Sequence, residues 1–206
     1  MFVCTDTSTK GLFLFDNSII LASGSPRRRE LLRQIGLDCT VQPADVDERP
    51  LPGESPEHYA LRVALDKART AAARTNNGII IAADTIVVLQ ETILGKPADA
   101  ADAARMLTLL SGRMHRVITG LTVRDASTGE QYSALAVTRV WFRALAPELI
   151  SSYVASGEPF DKAGAYGIQE RGALFVERID GCYFNVVGLP LSLLAELLAH
   201  CSVSIL

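Results

Sequence analysis

Ile79-Ile80-Ile81-Ala82-Ala83-Asp84-Thr85-Ile86-Val87-Val88 is the stretch on which the reading of the fold turns. Its β-branched residues are dense enough for a strand buried on both faces, and Asp84 with Thr85 breaks the apolar run at its middle. A carboxylate desolvated alone among such neighbours costs several kcal/mol. Asp84 is therefore expected at a strand end, facing a ligand or a cation, and is the leading catalytic candidate.

On the N-terminal side of this strand, Asn76-Asn77-Gly78 closes a long helix that Ser55-Pro56-Glu57 opens and that runs through Lys67 to about Thr75. Further upstream, a short strand at Ile19 to Ala22 gives way to a helix with apolar positions Leu31, Leu32, Ile35 and Leu37, ended near Gly36. Asp38 to Pro43 reads as a second strand and Asp45 to Pro50 as a polar loop. On the C-terminal side, Gly95-Lys96-Pro97 follows a hairpin-like segment, and Asp99 to Leu110 is an alanine-rich helix ended by Ser111-Gly112. Arg116 to Arg124 and Ala134 to Phe142, joined by Ser127-Thr128-Gly129-Glu130, predict a long antiparallel hairpin. A helix at Pro147 to Ser156, a Gly/Ala-rich loop at Lys162 to Gln169, short strands at Leu174 to Ile179 and Tyr183 to Val187, and a last helix from Pro190 complete the order. Strands and helices mix throughout without an internal repeat, so the fold class is α/β with a partly antiparallel sheet.

The 206 residues suffice for one well-cored domain, and no Pro/Gly/Ser-rich linker or charge block divides them. We read residues 1–18 as a frayed or loosely docked extension and 19–206 as a single domain. At 49% apolar, 21% charged and a net charge of -3, the chain has no basic excess for gripping long nucleic acid. Cys4, Cys39, Cys182 and Cys201 form no Cys-x-x-Cys pair, and His58, His115 and His200 are isolated, so neither zinc nor redox motifs arise and reduced thiols in a cytoplasmic protein are expected. Met1 to Asn17 lacks the pattern of a signal peptide, and Leu189 to Leu206 is too interrupted for a membrane span. A homodimer is left open.

Ser23-Gly24-Ser25-Pro26-Arg27-Arg28-Arg29-Glu30 lies where the first strand meets the first helix and reads as an anion site. Small residues let a ligand approach the backbone, and proline starts a helix whose free N–H groups and dipole favour negative charge. Arginines in a first turn oppose that dipole, which points to a bound anion. Gly95-Lys96 is not a Walker A loop because proline follows the lysine, and no Gly-x-Gly-x-x-Gly opens a helix. The phosphate reading thus rests on dispersed residues: Arg27, Arg28, Lys67, Lys96 and Lys162. For Lys67 and Lys162 taken alone, a solvated surface charge is the commoner role, Arg29 reads as a surface charge, and Ser25 as a helix cap or a substrate contact.

Together these segments resemble the Maf family of nucleoside triphosphate pyrophosphatases, in its dTTP/UTP-type branch, from Ile20 to about Leu198. The resemblance is carried by Leu21 to Leu32, Asp47-Glu48, Lys67-Ala68, Ala82 to Val87, Gly95-Lys96-Pro97, Leu110-Ser111-Gly112, Lys162 to Gln169 and Val187 to Leu191. It implies an elongated mixed sheet with two lobes flanking a cleft, as in inosine triphosphate pyrophosphatase-like proteins. It also implies hydrolysis of dTTP and UTP to the nucleoside monophosphate and pyrophosphate, with Asp84 as proton acceptor and Ser23, Arg28, Glu48, Lys67 and Lys96 in the cleft. Arg28, Thr85 and Gln169 match positions that separate substrate subgroups, and Tyr166-Gly167-Ile168-Gln169 has the form of the dTTP/UTP branch.

Such hydrolysis needs water directed at the α-phosphorus and cations around the phosphate chain. Ser25 and Arg27 join the expected substrate contacts, and Asp84 with Glu48 could hold a divalent metal, Mg²⁺ or Mn²⁺. The Gln169 amide can pair with the N3–H and O4 edge shared by uracil and thymine. The rival reading on the same arginines is a non-enzymatic nucleotide-binding regulator of septum formation. A second rival, a phosphatase of other metabolites, would release orthophosphate first.

Overall fold

The structure, a computed structural model, describes residues 18–205; the extension expected over residues 1–18 falls outside them apart from Ser18. Chain order is β1 (Ile19–Leu21), α1 (Pro26–Gln34), β2 (Thr40–Val41), α2 (Pro56–Ala72), β3 (Ile79–Leu89), β4 (Thr92–Leu94), α3 (Ala100–Leu110), β5 (Met114–Asp125) and β6 (Gln131–Phe142). Then follow α4 (Pro147–Ala155), short 3-10 turns between Glu158 and Phe175, β7 (Val176–Asp180), α5 (Tyr183–Val187) and α6 (Leu191–His200). The first two long helices start as their sequences dictate. Ser25 Oγ accepts from the Arg28 N–H and Ser55 Oγ from the His58 N–H, while the prolines in the first turns give up no helical hydrogen bond.

The strands form one mixed sheet in the order β2-β1-β3-β5-β6-β7, with β4 beside the far end of β3. β1 runs parallel to β2 and β3, whereas β3, β5, β6 and β7 succeed one another antiparallel, and the expected hairpin is β5 with β6. β3 is covered on both faces. Ile80, Ala82, Ile86 and Val88 lie beneath α2, against Ala60, Val63, Ala68 and Ala71. On the other face Ile79, Ile81 and Ala83 pack with Leu32 of α1 and Leu194 of α6, and Val87 and Leu89 pack with Leu107 of α3 and Ile150 of α4. These last two apolar clusters are distinct, and the cavity described below opens between them.

Gly120 of β5 sets how close α2 lies. A Cβ there would stand 2.2 Å from the Ala60 carbonyl oxygen, so no side chain fits between helix and sheet. The helix is thereby pressed onto β5 and carries Lys67, two turns further along, to the level of Asp84. No helix among the described residues is long and apolar enough to cross a membrane.

Four expectations need correction. Asp84 does not end its strand: it sits opposite Gly120 in the interior of an unbroken β3. What ends there are the neighbours. β1 pairs only as far as Ile81, and β4 joins only at Val87, so the intervening residues of β3 have a paired strand on the β5 side alone. The carboxylate gets its cation and its exit to a cavity through this gap, without a strand end of its own.

Tyr183 to Val187 is a helical turn, not a strand. Five residues, four of them apolar, are too few to fix a period. The outcome is set by Asn185, whose buried side-chain amide donates to the Val117 carbonyl and to Thr138 Oγ1, and by Gly188, which ends the turn at φ 123°. Leu174 likewise belongs to a 3-10 turn, with β7 starting at Val176, and the strand expected over Asp38 to Pro43 shrinks to Thr40–Val41.

Candidate active site

Arg28 is a buried cation held by three side-chain hydrogen bonds. Its Nε donates to the Gly188 carbonyl (2.8 Å), its Nη1 to Ser23 Oγ (2.9 Å) and its Nη2 to Thr85 Oγ1 (3.0 Å). It is 8% exposed, and among the described residues it has no ion pair. Burial lowers its pKa from the ordinary arginine value while Asp84 pulls the other way, and a guanidinium stays charged in either case. A positive charge wrapped in neutral oxygens beside a cavity is a site awaiting an anion.

Lys67 holds the acidic side of the site together. Its Nζ lies 2.8 Å from Asp84 Oδ1 and 2.7 Å from Glu48 Oε1, a pairing that accounts for a lysine only 9% exposed. It is therefore no solvated surface charge. The signal was present in sequence, since Tyr59, Val63 and Lys67 share one helical face with Ala60, Ala64, Ala68 and Ala71, and a lysine inside an apolar stripe needs a partner. Tyr59 adds to the same wall by donating its hydroxyl to the Glu48 carbonyl at 2.7 Å.

A cavity of about 600 Å³ brings the expected residues together: Ser23, Ser25, Arg27, Arg28, Glu48, Lys67, Asp84, Thr85, Lys96 and Gln169 all border it. Alternate residues of β3 reach it from opposite faces, because it wraps the unpaired edge: Asp84 meets α2, and Thr85 meets Arg28. Ser25 caps α1, as one of its two expected roles had it, and it also borders the cavity. Lys96 is exposed and makes no ion pair among the described residues, whereas Arg27 Nη1 binds Asp161 Oδ2 at 2.7 Å. Asp161 also reaches Lys162 Nζ at 2.8 Å, and both line the cavity. Burial raises the pKa of its carboxyl, but hydrogen bonds from Lys162 and Arg27 outweigh that and hold it below the usual value. Nothing in the sequence marked Asp161, a loop acid with an ordinary neighbour.

Behind the wall, His115 Nε2 is 2.7 Å from Tyr166 Oη, and Tyr166 borders the cavity. This histidine is a core residue, as isolation in sequence suggested. Among the described residues no group of three or more His, Cys, Asp or Glu is placed to hold a metal. Asp84 and Glu48 offer two carboxylates, with Asp84 Oδ2 and Glu48 Oε2 making no hydrogen bond among those residues. Two carboxylates are what Mg²⁺ needs from a protein when phosphate oxygens and waters complete its shell. The donor set fits a divalent cation that arrives with a phosphorylated ligand.

A model of the family described as Maf-like protein matches residues 18–201. A protein of Syntrophomonas wolfei named dTTP/UTP pyrophosphatase is 51% identical over 90% of this chain and 98% of its own. Proteins of the same name from Moorella thermoacetica and Methanosarcina barkeri are 52% and 49% identical, covering 89% and 91% of this chain and 94% and 95% of theirs.

Proposed function

This chain belongs to the family of Maf-like proteins, and from that premise we propose that it is a nucleoside triphosphate pyrophosphatase acting on dTTP and UTP, as its relatives' names state of them. The observation that carries the reading is Arg28, a buried guanidinium with no anionic partner among the described residues, in one cavity with Lys67, Lys96 and the carboxylate of Asp84.

In this reading the triphosphate lies along Ser23, Arg28 and Lys96, whose donors compensate its charge. Lys67 fixes Asp84 through Oδ1 and leaves Oδ2, which makes no hydrogen bond among the described residues, to take the proton of a water. The water oxygen bonds to the α-phosphorus, the bond from that phosphorus to the bridging oxygen breaks, and pyrophosphate leaves with the electron pair. Glu48 and Asp84 would hold Mg²⁺ or Mn²⁺ jointly with phosphate oxygens, and the cation when bound neutralises further charge on the chain. Gln169 borders the same cavity and would read the N3–H and O4 edge shared by uracil and thymine. A pocket built on that edge rejects cytosine strongly, while the thymine methyl shifts preference by only about 1–3 kcal/mol, so both dTTP and UTP are accepted. The three free cysteines among the described residues accord with a reducing, cytoplasmic setting.

Purified protein with Mg²⁺ or Mn²⁺ is expected to release pyrophosphate from dTTP and UTP in preference to other nucleotides. Asp84→Asn should lower kcat by about a hundredfold or more, assayed at a temperature where circular dichroism shows the variant folded. Orthophosphate as the first product, or a near wild-type rate in Asp84→Asn, would overturn the proposal.

A further inference from the structure

The cavity wall at Arg28 is steadied by a group that never reaches the cavity. Thr119 of β5 sits directly opposite Thr85 in the β3–β5 ladder, is fully buried, and does not border the cavity. Its Oγ1 lies 2.9 Å from Thr85 Oγ1 and 3.4 Å from the Asn185 carbonyl oxygen.

One arrangement of protons satisfies every group in this chain. A guanidinium only donates, so Thr85 Oγ1 accepts from Arg28 Nη2. A carbonyl only accepts, so Thr119 donating to Asn185 takes the proton of Thr85 across a contact in which either hydroxyl can donate, and this arrangement leaves the Gly188 carbonyl to Arg28 Nε. Each hydroxyl then accepts once and donates once, in a line that begins at a positive charge and ends on the backbone of α5. Bonds aligned this way polarise one another, which strengthens the first of them, at Arg28. The far end is anchored too, because the Asn185 amide is tied to the Val117 carbonyl and Thr138 Oγ1, and Gly188 beyond it accepts from Arg28 Nε.

We infer that Thr119 is a positioning residue for phosphate recognition: its hydroxyl fixes the orientation of Thr85 and, through Thr85, the plane of the Arg28 guanidinium. The inference rests on the proposed reading of the cavity as a phosphate site, but not on the identity of the base. Without the Thr119 hydroxyl, the Thr85 proton has only the Gly188 carbonyl, 3.4 Å away and already accepting from Arg28 Nε, so Thr85 turns to a long contact and no longer aims its lone pair at Arg28.

Thr119→Val keeps the shape of the side chain and removes the hydroxyl, while Thr119→Ser keeps the hydroxyl and removes the methyl. Calorimetric titration with inorganic tripolyphosphate and with dTTP is expected to show binding about tenfold weaker in Thr119→Val and within about threefold of wild type in Thr119→Ser. In turnover of dTTP the loss should fall mainly on KM, since Asp84 is held separately by Lys67. Should the valine variant fail to fold, Thr119→Ala removes the same hydroxyl without crowding the Asn185 carbonyl, and the same loss is expected. Wild-type affinity in Thr119→Val or Thr119→Ala would overturn the inference, as would a Thr119→Ser variant impaired as much as they are. Tripolyphosphate binding that depends on the Thr119 hydroxyl, in a protein that leaves dTTP intact, would overturn the proposed activity and support the positioning role.

Discussion

His115, 1% exposed between Phe142 and Tyr166, has its pKa pushed by burial down to about 4, and an interaction with the Arg113 backbone offsets this only in part. In the unfolded chain an imidazole titrates near its ordinary value of about 6.5. Between those two values the unfolded chain binds a proton that the folded one does not, so stability falls as pH drops from about 6.5 to about 4, by about 3 kcal/mol for this group. Urea unfolding at pH 7 and pH 4.5 should show this loss in the wild type and a flatter dependence in His115→Gln; equal slopes would assign the acid sensitivity to other groups. The same residue scale shows what burial does to a charge. Arg28 and Lys67 are nearly as buried as His115 and remain useful as cations because oxygens surround each of them, neutral ones for Arg28 and carboxylates for Lys67.

Between helix and sheet the decisive position is Gly120, where the Ala60 carbonyl lies against the strand. Gly120→Ala should lower stability by about 3 kcal/mol, read as a shift in the urea midpoint, because neither β5 nor α2 can yield without opening the α2–β3 core. A midpoint within about 0.5 kcal/mol of wild type would mean that α2 lies less tightly on the sheet than described. Elements were legible in the sequence where a local signal fixed them. Ser55 and Pro56 start α2, the β-branched run makes β3, and the two runs about Ser127 to Glu130 make the hairpin. The turn at Tyr183 to Val187 was not, since its four apolar residues suit either period and its conformation answers to hydrogen bonds made by Asn185 to two distant strands.

Across the whole molecule, Arg27 at the start of α1 and Asp161 in the 3-10 segment face each other at the cavity mouth. The pair is exposed, with Asp161 56% accessible, so removing it should cost less than about 1 kcal/mol of stability. Its effect on ligand is expected to be larger, because the carboxylate neutralises both Arg27 and Lys162. Asp161→Asn should tighten triphosphate binding about threefold to tenfold at low salt, with the gain shrinking as ionic strength rises. Unchanged or weaker binding would show that Asp161 does not compete with phosphate. The sequence by itself determined the α/β class and most elements, because propensity, capping and apolar periodicity act between residues a few positions apart, while the placing of most of the charged residues that border the cavity came from the family resemblance and that of Asp161 from neither. Only the tertiary structure decided that Lys67 meets an acid 17 positions away, that Arg28 binds a carbonyl 160 positions away, and that the Asp84 carboxylate opens to a cavity from mid-strand. Those contacts depend on where neighbouring strands stop and how closely a helix crosses them, which is a property of packed elements and is written at no single position of the chain.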